Sequence, residues 1–180
     1  VLIVPILLVI FKVQKVKLRI WIAVVLATLG LYLLILPDGK INIGDVITFG
    51  CAISFAMHII AQDRYLKKNI RLLPFFYIQL LIVTIISLIH AYFFEPNTII
   101  WSEKLFWAII ITGIFATFAA FLMMIWAQKI LNPSETAIIF SIEPVAAALF
   151  AMIFAGETLG LWGWIGGFLI CSAVIYGEKE

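Results

Sequence analysis

Glu143 and Pro144 are the residues whose types and spacing point most directly to chemistry. They are adjacent, and they lie inside an apolar stretch that runs from Ile138 to Phe154. A carboxylate in the hydrocarbon core of a membrane is costly, so it usually faces a bundle interior or a watery cavity and marks a candidate functional site. The alternative is a structural carboxylate that is hydrogen-bonded to a neighbouring helix. Proline lacks an N–H, which frees the carbonyl of Phe140 four residues earlier. Carriers build sites for ions and polar solutes from such groups, so the pair predicts transport.

Three other polar residues within apolar stretches, His58, Gln79 and Thr136, are further candidates for substrate binding or proton coupling. Histidine titrates near neutral pH, so His58 is a candidate proton relay, and a hydrogen-bonded packing histidine is the alternative. Gln79 lies deep in its stretch and either lines a cavity or packs. Helical spacing places Thr136 on one face with Glu143, where small residues admit either a solute or a closely packed helix.

A second group of residues suggests structural roles near the end of the chain. Glu157 lies at the end of an apolar stretch, where we expect it to hold the turn into the last helix, with a gate as the alternative. Gly163 and Gly167 have the spacing that lets two helix backbones touch. Both intramolecular packing and a homodimer satisfy that spacing.

The sequence carries no pattern typical of an enzyme. It has no serine–histidine motif, no glycine-rich phosphate loop and no Cys/His cluster with metal-ligand spacing. Cys51 and Cys171 lie in apolar stretches and are expected to be packing residues. We therefore predict no catalytic residues, no metal and no cofactor. The net charge of +2 gives no indication of a nucleic-acid partner, and we predict none.

The composition is that of a membrane protein. The chain is 65% hydrophobic and 12% charged, with a mean hydropathy of +1.19. A soluble domain carries about 25% charged residues, so the bilayer is the expected partner. A membrane helix needs about 20 apolar residues. Six stretches approach or exceed this length: Trp21–Leu36, Asp45–Gln62, Pro74–Phe94, Leu105–Trp126, Ser134–Ala155 and Gly160–Gly177.

Residues 1–11 are also apolar, but as a helix they reach only about 16 Å and cannot cross. We expect them to be the tail of a helix that begins upstream. Alternating the six spans puts ten of the twelve basic residues on one side, leaving only Lys40 and Lys104 on the other. Because cytoplasmic loops are rich in Lys and Arg, this predicts a multi-pass protein of the inner (cytoplasmic) membrane with a cytoplasmic C-terminus.

A weak internal repeat accompanies this topology. Trp21-Ile22-Ala23 opens the first complete span and Trp164-Ile165-Gly166 opens the last, and each follows a shorter apolar helix with a proline, Pro5 or Pro144. The two proline helices run in opposite directions, and five helices separate equivalent positions. Inverted repeats of this kind are typical of secondary transporters.

At this point the chain resembles a known family. Trp126 to Lys129, then Pro133 to Ala147 with its Glu-Pro pair, and then Gly156-Glu157 resemble the ninth helix of EamA-type drug/metabolite transporters. Residues 163–170 resemble their tenth helix, and Gly44-Asp45 with residues 52–59 resembles their sixth.

The resemblance implies an architecture of ten helices in two inverted five-helix repeats. This chain would hold part of helix four through helix ten, so that it is truncated at its N-terminus. Residues 1–40 would end the first repeat, and residues 41–180 would form the second. The expected fold is thus an all-α polytopic bundle of transmembrane helices with an incomplete first repeat.

The resemblance also implies a function: a permease or exporter of small metabolites, amino acids or drugs, driven by an ion or proton gradient. Two alternatives from other classes stay open. One is a non-transporting membrane scaffold or assembly subunit, or an inactive fragment. The other is a membrane-embedded enzyme using Glu143 and His58, which the absence of a nucleophile–base pattern disfavours.

Overall fold

The computed structural model describes residues 2–35, 43–68, 71–95 and 99–178. These residues form helices and short connections, and no strand occurs among them. An apolar segment in lipid must satisfy its backbone N–H and C=O groups internally, which a helix does. The predicted class, an all-α polytopic membrane protein, is confirmed.

The helices follow the predicted spans closely. In chain order they are α1 Ile3–Ile10, α2 Leu18–Ile35, α3 Ile43–Leu66, α4 Leu72–Phe94, α5 Glu103–Ile110, α6 Ala120–Ala127, α7 Pro133–Phe140, α8 Glu143–Phe150 and α9 Leu161–Glu178. A π-helical segment, Ile111–Ala119, joins α5 to α6, and another, Ala151–Ala155, continues α8. The described residues thus contain six membrane-length spans, because α5 to α6 and α7 to Ala155 are each one continuous span.

Every predicted span corresponds to one of these six, and the largest boundary difference is at α3, which ends at Leu66 and not at Gln62. The predicted end of the first span, Leu36, lies outside the described residues. The predicted short helix near the start is α1, eight residues long.

The described helices form two units by contact, and the predicted repeat boundary at residue 40 lies outside the described residues. The first unit covers residues 1–63 and 131–180, and the second covers residues 64–130. In the first unit, Val4 and Leu8 of α1 share a core cluster with Ala56 and Ile59 of α3 and with Ala137 of α7. Ile138, the next residue of α7, packs instead with Ile20, Ala23 and Val24 of α2. Helix α7 is therefore the element that joins the two clusters.

Helices α2 and α9 form the most extensive pair in the first unit. They are antiparallel: Gly30 of α2 contacts Gly166 near the start of α9, and Ala23 lies beside Gly177 near its end. A Cβ atom on Gly166 would stand 2.5 Å from the carbonyl oxygen of Gly30, so only glycine permits this approach.

The second unit has a smaller core. Leu66, Phe76 and Ile125 form its buried cluster. Phe76 also meets Phe118 edge to face, with ring centroids 5.2 Å apart. Phe76 is the only buried residue of the 23 in α4, whose other side chains include many large exposed hydrophobics. Such a helix is suited to an apolar solvent or to further helices, and not to water.

Candidate functional site

The break between α7 and α8 is the central feature of the candidate site. The amide N–H groups of Ser141 and Ile142 donate to the carbonyls three residues back, those of Ile138 and Ile139, and the regular helix stops. It resumes with Glu143, and the N–H of Ala146 donates to the carbonyl of Ile142. Pro144 occupies the first turn of α8, where its missing N–H costs least.

Because residue 144 is a proline, the carbonyl of Phe140 lacks the N–H that a continuous helix would supply. The structure interrupts the helix at Ser141 and Ile142, directly before the Glu-Pro pair. An interruption of this kind at membrane depth is tolerated where protein or a watery cavity surrounds it.

A strong N-terminal cap fixes where α7 begins. The side chain of Asn132 accepts hydrogen bonds from the N–H groups of Ser134 and Glu135, both at 3.1 Å. The carboxylate of Glu135 accepts in return from the N–H of Asn132 at 3.0 Å, which completes a capping box. With Pro133 at the first helical position, the start of α7 is held on both sides. The position of the later break is thereby set relative to the end of the span.

Glu143 and Thr136 occupy different environments. Glu143 is the first residue of α8 and is exposed. Ala147 and Phe150, further along the same helix, are also exposed. Thr136 is buried, and its hydroxyl donates to the carbonyl of Asn132 at 3.0 Å. The two candidates belong to separate helical segments, α7 and α8. Thr136 supports the beginning of α7, whereas Glu143 is accessible.

His58 lies near the break through aromatic contacts. Its ring stacks on Phe55 with centroids 6.3 Å apart, and Phe55 in turn contacts Phe140 at 6.0 Å. The side chain is half-buried and hydrogen-bonds the Gln62 side chain one turn later, while its Nε2 atom is buried without a partner. Phe55, one turn before His58 on α3, is thus the residue that contacts the last residue of α7. A cavity of about 150 Å³, lined by residues of α1, α3 and α7, adjoins Phe55 and Phe140.

Gln79 belongs to the second unit, where it is half-buried on α4 and has a polar interaction. The other candidate residues all belong to the first unit. Gln79 is one helical turn beyond the buried Phe76, so it lies on the side of α4 that carries the core of its own unit.

Glu157 follows a left-handed residue at the end of the fifth span. Gly156 has φ of 69°, which glycine adopts without strain, and the N–H of Glu157 donates to the carbonyl of Ala151. The Glu157 side chain is exposed and lines a groove of about 310 Å³ with Leu34, Ala148 and Gly163. Its backbone closes the helix end, and its carboxylate remains accessible.

The close backbone contact is made by Gly30 and Gly166, and not by Gly163 and Gly167, whose spacing suggested such a contact. A Cβ on Gly163 would meet only the side chain of Leu159, and one on Gly167 would stand 3.7 Å from Val145, an ordinary contact. Gly30 and Gly166 are the pair whose backbones touch. The spacing of Gly163 and Gly167 therefore identified the helix that makes the contact, α9, but the residue in contact, Gly166, is the one before Gly167. Gly163 and Gly167 instead line an apolar groove of about 270 Å³ with residues of α2 and α8.

Among the described residues, no group of three or more His, Cys, Asp and Glu side chains is placed to hold a metal ion. The polar groups at the break are the Glu143 carboxylate, the Ser141 hydroxyl and the Phe140 carbonyl, and the His58 imidazole stacks on Phe55, which contacts Phe140. Together they can accept a proton, bind a cation or hydrogen-bond a polar solute.

Comparisons with known proteins agree with this arrangement. The EamA-like transporter family matches residues 42–176. An uncharacterized transporter of Archaeoglobus fulgidus is 35% identical over 157 residues, covering 84% of this chain and 48% of the relative. A second uncharacterized transporter of that organism is 25% identical over 167 residues, covering 93% and 59%. A putative permease-like protein of Bacillus subtilis, YdzE, is 38% identical over 68 residues, covering 38% and 87%.

No solved structure matches the chain significantly. The chain spans about half the length of the two archaeal relatives. The family match covers five of the six membrane-length spans, including the broken helix and the glycine-containing α9. This chain is a multi-pass membrane protein that belongs to the EamA-like transporter family.

Proposed function

We propose that the intact protein is a secondary transporter, a permease or exporter, that moves small metabolites, amino acids or drugs across the cytoplasmic membrane. The observation that carries this proposal is the interrupted span with a carboxylate at the start of its second half. Family membership supports it, because the relatives are named transporters. The proposed orientation puts the C-terminus in the cytoplasm and rests on the distribution of basic residues.

Glu143 is the proposed coupling residue. Its exposed carboxylate either exchanges a proton during transport or pairs with a cationic group of the solute. The Phe140 carbonyl offers a second acceptor at the same break. His58 is a second candidate for proton exchange, and its ring stacks on Phe55, which contacts Phe140. Rocking of two inverted repeats, residues 1–40 being the end of the first and 41–180 the second, would give alternating access to this site.

The test begins by finding a solute. Cells with and without the intact gene are compared for tolerance to a panel of toxic metabolites, amino-acid analogues and drugs. The compounds for which the gene changes tolerance are then measured for flux in proteoliposomes, with and without a pH gradient.

The decisive variant is Glu143→Gln, with Glu103→Gln as the matched control. Both remove one exposed carboxylate from the first turn of a helix, but Glu103 lies at the start of a span and not at an interruption. We expect Glu143→Gln to reduce flux by about 100-fold and to abolish its dependence on pH, while membrane level and melting temperature stay unchanged. Glu103→Gln should transport normally. Normal flux with normal pH dependence in Glu143→Gln would show that Glu143 is not the coupling residue.

The absence of flux for every compound would favour the second candidate, a non-transporting assembly subunit or an inactive fragment. The apolar groove at Gly163 and Gly167 is the surface that favours it, since it is open to another helix. That candidate predicts stable complexes in mild detergent, with a second copy or with another membrane protein, and their loss when bulky residues fill the groove.

A further inference from the structure

The loop between α1 and α2 carries three lysines in an unusual setting. Val13 and Val16 turn inward and pack against the core clusters, while Lys12, Lys15 and Lys17 are exposed. The loop backbone is therefore anchored, and the three ammonium groups extend from a fixed base. Among the described residues, none of the three has an ion pair.

Lys12 occupies a backbone position that favours glycine. Its φ is 52°, in the left-handed region. Its N–H donates to the carbonyl of Val9 at 3.1 Å, and that of Val13 donates to Leu8 at 2.9 Å. These two bonds are the Schellman ending of a helix, in which glycine commonly occupies the position held here by Lys12. In this conformation the Cβ atom of any residue other than glycine comes too close to the following carbonyl oxygen, so a lysine here is locally unfavourable.

Lys17 is also placed against local preference. Its carbonyl accepts the first helical hydrogen bond of α2, from the N–H of Ile20 at 3.0 Å, so it is the N-cap residue. Such positions favour Ser, Thr, Asp and Asn, and the positive end of the helix dipole disfavours a cation. Two of the three lysines are thus found where backbone chemistry alone would select other residues.

Neither topology nor the dipole of α1 accounts for these positions. A topogenic signal needs positive charge anywhere in the loop and does not require a lysine with positive φ. The C-terminal dipole of α1 favours a cation near Lys12, but a lysine in the last helical turn would satisfy it without strain. What the observed positions provide is three exposed lysines within six residues, on a loop whose two valines are packed against the core.

The loop joins two apolar helices, so we expect it to lie at the membrane interface. Phe11 and Leu18, at the two ends of the loop, are 54% and 75% exposed, and Leu18 begins a membrane-length helix. Large apolar side chains at this exposure are covered by acyl chains, so the lysines between them lie at the level of the phosphate groups of the same leaflet.

We propose that Lys12, Lys15 and Lys17 form a binding site for the headgroup of an anionic phospholipid. The occupant is a lipid and not a soluble anion, because the cationic cluster lies between apolar side chains that the acyl chains of the same molecule can cover. The site is separate from the broken helix and goes beyond the proposed transport function. Its occupancy does not depend on the proposed orientation when both leaflets have the same composition.

The test uses the full chain reconstituted in bilayers and measures the association constant of spin-labelled phosphatidylglycerol relative to phosphatidylcholine. The sharpest variant is Lys12→Gly, because it removes one charge and relieves the strained backbone. A lysine near the surface contributes about 1 kcal/mol, so the relative association constant should fall by about fivefold. The melting temperature should rise. A lysine with only a structural role would give the rise in melting temperature with no loss of lipid selectivity, and that result would overturn the proposal.

Four further arms complete the experiment. Changing all three lysines to Gln should remove the selectivity, and changing all three to Arg should keep it. Lys104→Gln, which removes an exposed lysine from the first turn of α5 in the second unit, should leave it unchanged. An equal loss in Lys104→Gln would show general electrostatic attraction and refute a defined site. Competition by millimolar inorganic phosphate at constant ionic strength would show a soluble-anion site and would equally refute a lipid site.

Discussion

Pro144 controls the break at the level of a single residue. In Pro144→Ala, residue 144 gains an N–H that can donate to the carbonyl of Phe140. We expect α7 and α8 to merge into one helix, so that helix content and melting temperature rise. The free energy of unfolding should increase by at most about 3 kcal/mol. Flux should fall, since the carbonyl is no longer free. Circular dichroism and thermal unfolding in detergent measure the first effect, and proteoliposome flux measures the second.

Pro133→Ala is the control for this prediction. Pro133 is the first residue of α7, where no helical partner needs its N–H, so helix content should not change. If both substitutions gave the same change, the effect would come from the unfolded chain and not from the break.

Asn132 is the residue whose side chain fixes the start of α7. Asn132→Ala removes the two hydrogen bonds from Ser134 and Glu135, and we expect a loss of about 1 kcal/mol in the free energy of unfolding. Asn132→Asp should retain most of it, because a carboxylate also caps and is favoured at a helix N-terminus. Unfolding of the chain in mixed micelles provides the measurement. Equal stability of the Ala and Asp variants would show that the cap does not hold this helix.

At the scale of elements, the contact between α2 and α9 offers a matched pair of substitutions. Gly166→Ala would place a Cβ 2.5 Å from the Gly30 carbonyl oxygen and 2.7 Å from the backbone nitrogen of Leu34. Backbone atoms of α2 cannot move away by a rotamer change as a side chain can, so the two helices must separate. This should lower the free energy of unfolding by about 1–3 kcal/mol. Gly167→Ala meets only Val145 at 3.7 Å and should be tolerated. Melting temperatures in one detergent distinguish the two variants, and equal tolerance would argue against the close contact.

The same pair of helices bears on the proposed repeats. In the register that pairs Trp21 with Trp164, Gly30 corresponds to Ala173 and Gly166 to Ala23. All four are buried, and α2 and α9 are antiparallel. Equivalent small residues on two antiparallel helices are the arrangement expected where two inverted repeats meet. This supports the repeat proposal and gives the two helices a structural role apart from the broken span.

At the scale of the whole molecule, the arrangement in the membrane can be tested with reporter fusions. Fusions after Lys129 and after Glu180 should show cytoplasmic reporter activity, and a fusion after Ile100 should show activity on the opposite side. Six membrane-length spans require this alternation. The same side for Lys129 and Ile100 would mean that the segment Glu103–Ala127 does not cross, and the proposed orientation would be wrong.

The sequence by itself determined the membrane class, the six spans and the break at Glu143-Pro144. Lipid imposes a length of about 20 apolar residues and internal backbone hydrogen bonding, and both conditions act along a single segment. Proline likewise acts locally, on a carbonyl four residues away. For this reason the span boundaries differ from the predictions by only a few residues, although the contacts between spans could not be read in the same way.

The tertiary structure decided which faces meet. It placed Gly166 against Gly30, left Gly167 in an open groove, buried Thr136 and exposed Glu143. One position along a helix turns a side chain by about 100°, so contact depends on rotation and on which neighbour is present. The break after Phe140 also separates the helical register of α7 from that of α8. The positive φ of Lys12 could not be predicted from the sequence either, because it arises where α1 ends and Val13 packs against the core.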